Sequence, residues 1–314
     1  MIIACENCKR RFKIEENQLN PKGSRVRCSH CCQVFVVYPP EQPEIEQSLF
    51  PGLKKTDLHR QKAWVIALSN QKGGVAKTTS CLNLGVSLSL MKKKVLLIDF
   101  DVQASLSNCL GCQKGFSFYD AISDNSGDIS KAVVKTRYPN LWLLPSNRNM
   151  VLLNKKYFAT ANFEYTLKKK LNSVADLFDF ILIDTPPSME FYTLNALTAA
   201  NWVIIPSNCE YLSTQGVHQT VNYISMVARR TNQSLDYYLL ITMFDEHDTV
   251  SKLIHSKLRK MYDDKAYRTS IASDSKIRES QIMNQPVIYY YKHSPAGLQY
   301  VSLAREILDI LHHG

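Results

Sequence analysis

Residues 69–79 read SNQKGGVAKTT. A glycine pair followed by Lys-Thr supplies the parts of a phosphate cradle. Main-chain amides can point inward where no Cβ intervenes, and an ammonium and a hydroxyl complete the cup. Gly73 and Gly74 allow the close approach, Lys77 is placed for the β- and γ-phosphates, and Thr78 offers its hydroxyl to Mg²⁺. The usual G-x-x-x-x-G-K-[ST] spacing is nevertheless broken. Gln71 and Ala76 stand where the two framing glycines belong, and a second lysine, Lys72, lies five places before Lys77. If position 76 requires a positive φ, its methyl group costs about 1 kcal/mol.

Two further stretches bring carboxylates. KKKVLLIDFD ends an apolar run at Asp99 and Asp101, and FDFILIDTPPS ends another at Asp184. An apolar strand that ends in Asp at the carboxyl edge of a parallel sheet sets a carboxylate beside the metal and phosphates of a nucleotide. One such strand would be weak evidence, because Asp often only caps the next helix; the ordered set of three is specific.

The third chemical constellation is sulfur. CENC places Cys5 and Cys8, and after 19 residues CSHC places Cys28 and Cys31. Two C-x-x-C knuckles at this separation fit a tetrahedral four-thiolate Zn²⁺ site. A segment of this size has too little apolar interior to fold alone, so the metal would supply much of its folding energy. Cys32 and His30 lie beside the second knuckle but break the two-residue gap. Phe12, Phe35, Arg10, Arg11, Arg25 and Arg27 either support the ribbon or touch a partner.

The elements that must position these groups follow from periodicity. Apolar runs predict strands at 64–69, 95–99, 141–144, 180–184, 202–206 and 237–242, with crossover helices such as 77–91 and 213–230 between them. This alternation predicts an α/β fold with a mostly parallel, twisted sheet covered by helices on both faces. Residues 1–38 form the cysteine-rich module, 39–62 (PPEQPEIEQSLFPGLKKTDLHRQK) read as a proline-bearing polar linker, and 63–314 form the large domain.

Bulk properties fit this organisation. The chain has 314 residues, 45% of them apolar, nine cysteines and a formal net charge of +10. It contains no apolar run long enough for a membrane span and no secretory leader at its start, so a cytoplasmic location is expected. In a reducing compartment clustered cysteines favour metal over disulfides. The positive balance suits a polyanionic partner.

The set KGGVAKTT, DFDVQAS and DTPPS resembles the ParA/MinD branch of P-loop ATPases, and LNALTAANWVIIPSNCEYLSTQGV (194–217), LLITMFD (239–245) and AGLQYVSLAREIL (296–308) resemble its ParA members. The resemblance covers 63–314 and implies a SIMIBI-like P-loop NTPase fold that uses ATP and Mg²⁺. It implies that Lys72 is the signature lysine of a deviant Walker A loop, reaching across an ATP-dependent homodimer to the partner's nucleotide, and that Gln71 is usual there. Lys72, Gly73, Gly74, Val75, Ala76, Lys77, Thr78 and Thr79 would line the nucleotide. Asp101 would orient the attacking water, Asp184 would hold Mg²⁺ through water, and Asp99 would support the metal side. The sequence departs from the family pattern at Ala76 and at Val102, which replaces a usual proline. Residues 1–38 resemble the small zinc-ribbon module found at the N-terminus of various bacterial proteins.

The resemblance also implies non-specific DNA binding by the ATP dimer, association with the nucleoid, and release by a ParB-like or other protein that stimulates slow hydrolysis. Residues 251–278 hold eight Lys/Arg against three Asp. Lys252, Lys257, Arg259, Lys260, Arg268, Lys276 and Arg278 are the candidate phosphate contacts. A MinD-like membrane ATPase would need a basic amphipathic tail, and LAREILDILHHG has one Arg and two acids. The lone pair Cys109 and Cys112 in NCLGC does not sit where iron–sulfur relatives keep their ligands. A nucleotide-switched DNA-binding regulator, read through the ribbon, is the remaining alternative.

Overall fold

The computed structural model describes residues 2–5, 7–13, 24–37, 63–112, 116–123, 128–157 and 160–313. The expected linker, 39–62, lies outside these residues. The chain divides into two compact units, one within Met1–Pro51 and one within Gly52–Gly314.

The first unit is two hairpins. Strands β1 (Ile2–Ala4) and β2 (Arg11–Lys13) pair antiparallel, as do β3 (Ser24–Arg27) and β4 (Val34–Val37). The two hairpins turn alike. The Lys9 amide donates to the Cys5 carbonyl at 2.9 Å and the Cys32 amide to the Cys28 carbonyl at 3.0 Å. Lys9 and Cys32 both take the left-handed conformation, φ 56° and 58°. Phe35 and Val37 pack with Cys5 and Cys28, and Phe12 meets Phe35 edge-on at 6.1 Å. This small apolar patch is the unit's whole buried cluster among the described residues, which is why a metal must help hold it.

The second unit is a seven-stranded sheet built from β5 (Trp64–Leu68), β6 (Val95–Asp99), β7 (Val134–Lys135), β8 (Leu141–Leu144), β9 (Phe180–Asp184), β10 (Trp202–Asn208) and β11 (Asp236–Thr242). Their order is β11-β10-β5-β9-β6-β8-β7. Every pairing is parallel except β7 with β8. All residues of β6, β9 and β10 are buried. Since successive side chains in a strand point to opposite faces, both faces of the sheet are covered.

The covering helices are α1 (Lys77–Leu90), α2 (Ser105–Cys109), α3 (Phe118–Ser123), α4 (Val151–Tyr157), α5 (Thr166–Leu171), α6 (Phe191–Ala199), α7 (Ser213–Arg230), α8 (Thr249–Tyr262), α9 (Ser275–Ile282), α10 (Val287–Tyr290) and α11 (Pro295–His313). The long helix α1 lies between the sheet and α11, where Ser80 and Tyr300 share a buried hydrogen bond of 3.0 Å. It seats closely because residue 85 is glycine: a Cβ there would come within 2.5 Å of Leu97 Cδ2 and 3.4 Å of Leu182 Cδ1.

The predicted strands and both named helices are present, and the mostly parallel sheet is as expected. The antiparallel edge strand β7 was not foreseen. Two residues carry no period, and the strand exists only through its register with Leu143 and Trp142.

Candidate functional site

Three neighbouring strands end together. β5 runs into the loop 69–76, β9 ends at Asp184 and β6 at Asp99. The register pairs Leu68 with Asp184 and Asp184 with Asp99, so the two carboxylates are direct neighbours at the carboxyl edge of the sheet.

The loop is fastened at its start by Asn70. This buried side chain donates to the Pro206 carbonyl at 2.8 Å and accepts from the Lys72 amide at 2.9 Å and the Thr220 hydroxyl at 3.3 Å. The Thr220 hydroxyl accepts in turn from the Gln71 amide. At the other end the Thr242 hydroxyl, where β11 stops, donates to the Val75 carbonyl at 3.2 Å. Gly74 has φ 72° and Ala76 has φ 68°, ψ 31°. Position 76 therefore is the left-handed site where alanine carries its penalty. Helix α1 starts immediately after it, with no side-chain cap and no acid in its first turn, so its free amides and positive dipole end face the loop.

The two lysines are separated by this geometry. Lys77 is buried, and its Nζ donates to the carbonyls of Asn70 and Lys72, both at 3.0 Å, inside the loop. Burial lowers its pKa, with Asp184 and Asp101 opposing that shift. Lys72 points outward. Its Nζ donates to Glu210 Oε2 at 2.6 Å, Asn208 Oδ1 at 3.2 Å and Ser213 Oγ at 3.4 Å, all between the end of β10 and the start of α7.

The carboxylates are not equivalent. Asp184 Oδ2 accepts from the Thr78 hydroxyl at 2.6 Å, while its Oδ1 is buried and has no partner. Burial first, and then the neighbouring Asp99, push its pKa far above the carboxylate range. A buried, unpaired oxygen beside a threonine hydroxyl is a costly arrangement that a divalent cation relieves, and the donor set suits Mg²⁺.

Asp99 is saturated instead. Its Oδ2 accepts from the Ser107 amide at 2.8 Å and the Ser107 hydroxyl at 2.7 Å, and its Oδ1 accepts from the Asp101 amide at 3.3 Å. Burial pushes its pKa up to about 6. Its geometry fixes the turn that carries Asp101 and the start of α2. Asp101 is half-exposed, its Oδ1 accepting from the Gln103 amide at 2.9 Å. The Thr79 hydroxyl accepts from Gln281 Nε2 at 2.9 Å, tying α1 to α9.

In the first unit one ligand atom from each of Cys5, Cys8, Cys28 and Cys31 lies within 4.8 Å of every other. Backbone amides of Cys31 and His30 lower the Cys28 thiol pKa, while burial and the neighbouring thiols raise that of Cys8, so the four sulfurs share protons as one cluster that a metal would displace. The set fits zinc. His30 Nδ1 instead meets Arg10 at 2.8 Å, and Cys32 is exposed. Cys109 and Cys112 belong to no group of three or more potential ligands among the described residues.

The seven basic candidates separate into two sets. Arg259 donates to the Arg268 carbonyl and to Ser270 Oγ, Arg268 lies 3.8 Å from Glu306, and Lys276 pairs with Glu279 at 2.8 Å. Lys252, Lys257 and Lys260 on α8, and Arg278 on α9, are exposed and have no partner among the described residues. Sequence reasoning missed Asn70, Thr220, Glu210 and Ser107. Asn70 and Ser107 are near in sequence to the groups they serve, whereas Thr220 and Glu210 are more than 130 residues from theirs.

A phosphate loop between a parallel strand and a helix, flanked by acidic strand ends, defines a P-loop nucleotide-binding protein. A family model described as an AAA domain matches residues 63–237, and one described as a zinc-ribbon domain matches residues 1–36. The sporulation initiation inhibitor protein Soj of Bacillus subtilis is 34% identical over 247 residues, covering 77% of this chain and 97% of Soj. The chromosome-partitioning ATPase Soj of Treponema pallidum is 35% identical over 240 residues, covering 76% and 94%. A structure of cobyrinic acid a,c-diamide synthase from Mycobacterium smegmatis with a bound ATP analogue and magnesium superposes with TM-score 0.70 at 32% identity, covering 78% and 94%. The chain belongs to the ParA/MinD family of P-loop ATPases, as a ParA-like partitioning or positioning ATPase with an N-terminal zinc ribbon.

Proposed function

We propose that the chain is a Mg²⁺-dependent ATP switch that dimerises on ATP, coats DNA without sequence preference, and is released when a ParB-like or other partner stimulates slow hydrolysis. The separation of the two lysines carries this reading. Lys77 fills the loop where the β- and γ-phosphates would lie, whereas the Lys72 ammonium is held outside it by Glu210, and release from that partner would let it serve a nucleotide other than its own. Gly73 to Thr78 would cradle the phosphates, and Thr78 and Asp184 would hold Mg²⁺. The ion supplies neutralisation of charge on the phosphate oxygens. Asp101 would orient the attacking water, with Asp99 keeping it in place. Lys72 from the facing subunit would stabilise charge on the transferred phosphoryl group, so that turnover depends on dimerisation. The exposed Lys252, Lys257, Lys260 and Arg278 would contact DNA phosphates, doubled in number by the dimer.

The apolar face of α11, including Ala296, Tyr300, Leu303, Ala304 and Ile307, is buried. That supports DNA over a lipid surface as the dimer's substrate. The test is a gel shift with ATP and with ADP at two salt concentrations, using Asp101→Ala to hold the ATP form, with liposome flotation in parallel. Binding that needs ATP and weakens steeply with salt supports the proposal; flotation without a DNA shift refutes it.

A further inference from the structure

The ribbon hairpin of β3 and β4 has two faces, and the metal site uses only one. Val26, Phe35 and Val37 turn toward the cysteines. The opposite face carries Arg25, Arg27, Val34 and Val36, all exposed, with the two valines 51% and 43% accessible. The register sets Arg25 opposite Val36 and Arg27 opposite Val34. The face is thus a row of two guanidinium groups beside a row of two aliphatic side chains.

These arginines do not neutralise the thiolates, which lie behind the sheet. Neither has an ion pair among the described residues, whereas Arg10 is engaged with His30 near the second knuckle. Every exposed charged side chain described in the ribbon is basic: Lys9, Arg10, Arg11, Arg25 and Arg27.

We propose that this face docks an acidic amphipathic helix of a partner protein, carboxylates over Arg25 and Arg27 and an apolar stripe over Val34 and Val36. The spacing suits it. Residues two apart in a strand are separated by about 6.8 Å, close to the roughly 6 Å rise between side chains four apart on a helix. Arginine pairs with carboxylates through two parallel bonds, and the adjacent valines exclude water from them. Nucleic acid fits less well. Duplex phosphates leave the valines uncovered, and single-stranded bases want an aromatic platform, while Phe12 and Phe35 face each other rather than this surface. The proposal does not rest on the ATP cycle.

The test uses the zinc-loaded full chain and fluorescence anisotropy with a labelled helical peptide that carries a glutamate stripe beside a leucine stripe. A second peptide replaces the leucines by serine, and a DNA duplex is the third probe. The first peptide should bind. Its affinity should fall at least tenfold in Arg25→Glu/Arg27→Glu and in Val34→Ser/Val36→Ser, and the serine peptide should bind at least tenfold more weakly. Both variants should keep one zinc per chain, showing that the ribbon is folded. No binding of the first peptide, equal binding by either zinc-loaded double variant, or loss of duplex binding rather than peptide binding in Arg25→Glu/Arg27→Glu overturns the proposal.

Discussion

Lys72 and Glu210 form an ion pair within one chain, ammonium to carboxylate at 2.6 Å, with Lys72 largely covered and Glu210 mostly exposed. The bond from Lys72 holds the Glu210 carboxyl below its usual range. A lysine that must reach a second subunit has first to leave this partner. An exposed pair is worth about 0.5 kcal/mol, and two break per dimer, so Glu210→Gln should tighten ATP-dependent dimerisation about fivefold. Sedimentation with a non-hydrolysable ATP analogue measures it. Lys72→Ala should lose the dimer while keeping ADP affinity. If the analogue-loaded wild type sediments only as monomers, the role given to Lys72 is wrong.

Lys77 and Asp101 should separate binding from chemistry. Lys77→Ala removes the one ammonium inside the loop and should abolish ATP binding by calorimetry. Asp101→Ala should bind ATP with near wild-type affinity and hydrolyse it at least a hundredfold more slowly. Rapid turnover by Asp101→Ala excludes it as the water-orienting group.

Ala76 holds φ 68° where glycine would be unstrained. Ala76→Gly should stabilise the nucleotide-free protein by up to about 1 kcal/mol, a rise of roughly 2 °C in the melting midpoint. An unchanged or lowered midpoint would mean that the loop has relaxed around the methyl group.

Asp99 gives a pH signature. Its pKa in the fold, about 6, lies above the ordinary aspartate value of 3.8 because the carboxyl is buried. The folded state therefore holds the proton more tightly, and stability falls as pH rises through this window. Relative to Asp99→Asn, the wild type should lose about 2 kcal/mol between pH 4 and pH 7. Denaturant midpoints at several pH values test this; a wild type that keeps or gains stability relative to Asp99→Asn as pH rises contradicts it.

Zinc should be present at one ion per chain, with no iron. Chelation should make four further thiols, Cys5, Cys8, Cys28 and Cys31, reactive toward a thiol reagent while nucleotide binding persists. An unchanged thiol count after the metal is stripped would argue against four-thiolate ligation.

What could be read from the sequence was what is local. VLLID and FILID are strands buried on both faces, so they appear as unbroken apolar runs ending in Asp, and Lys77 marks a helix start because the loop precedes it. What could not be read depends on folding. Glu210 is 138 residues from the lysine it binds, and Thr220 is 149 from Gln71. Charge counting cannot tell that Arg259 turns inward to the Arg268 carbonyl while Lys257, two residues earlier, stays outside. Nor does an Asp at a strand end announce whether its oxygens are spent, as in Asp99, or waiting, as in Asp184.

Gly85 sits eight residues past Lys77, over Leu97 and Leu182, both fully buried. The missing methyl acts as a shim of zero thickness: it sets how low the whole helix rides, and so the height at which the amides of its first turn meet a triphosphate. Even the smallest side chain there would have to displace Leu97 or raise the helix, and a raised helix would carry its phosphate-facing amides with it though no atom near them had been touched.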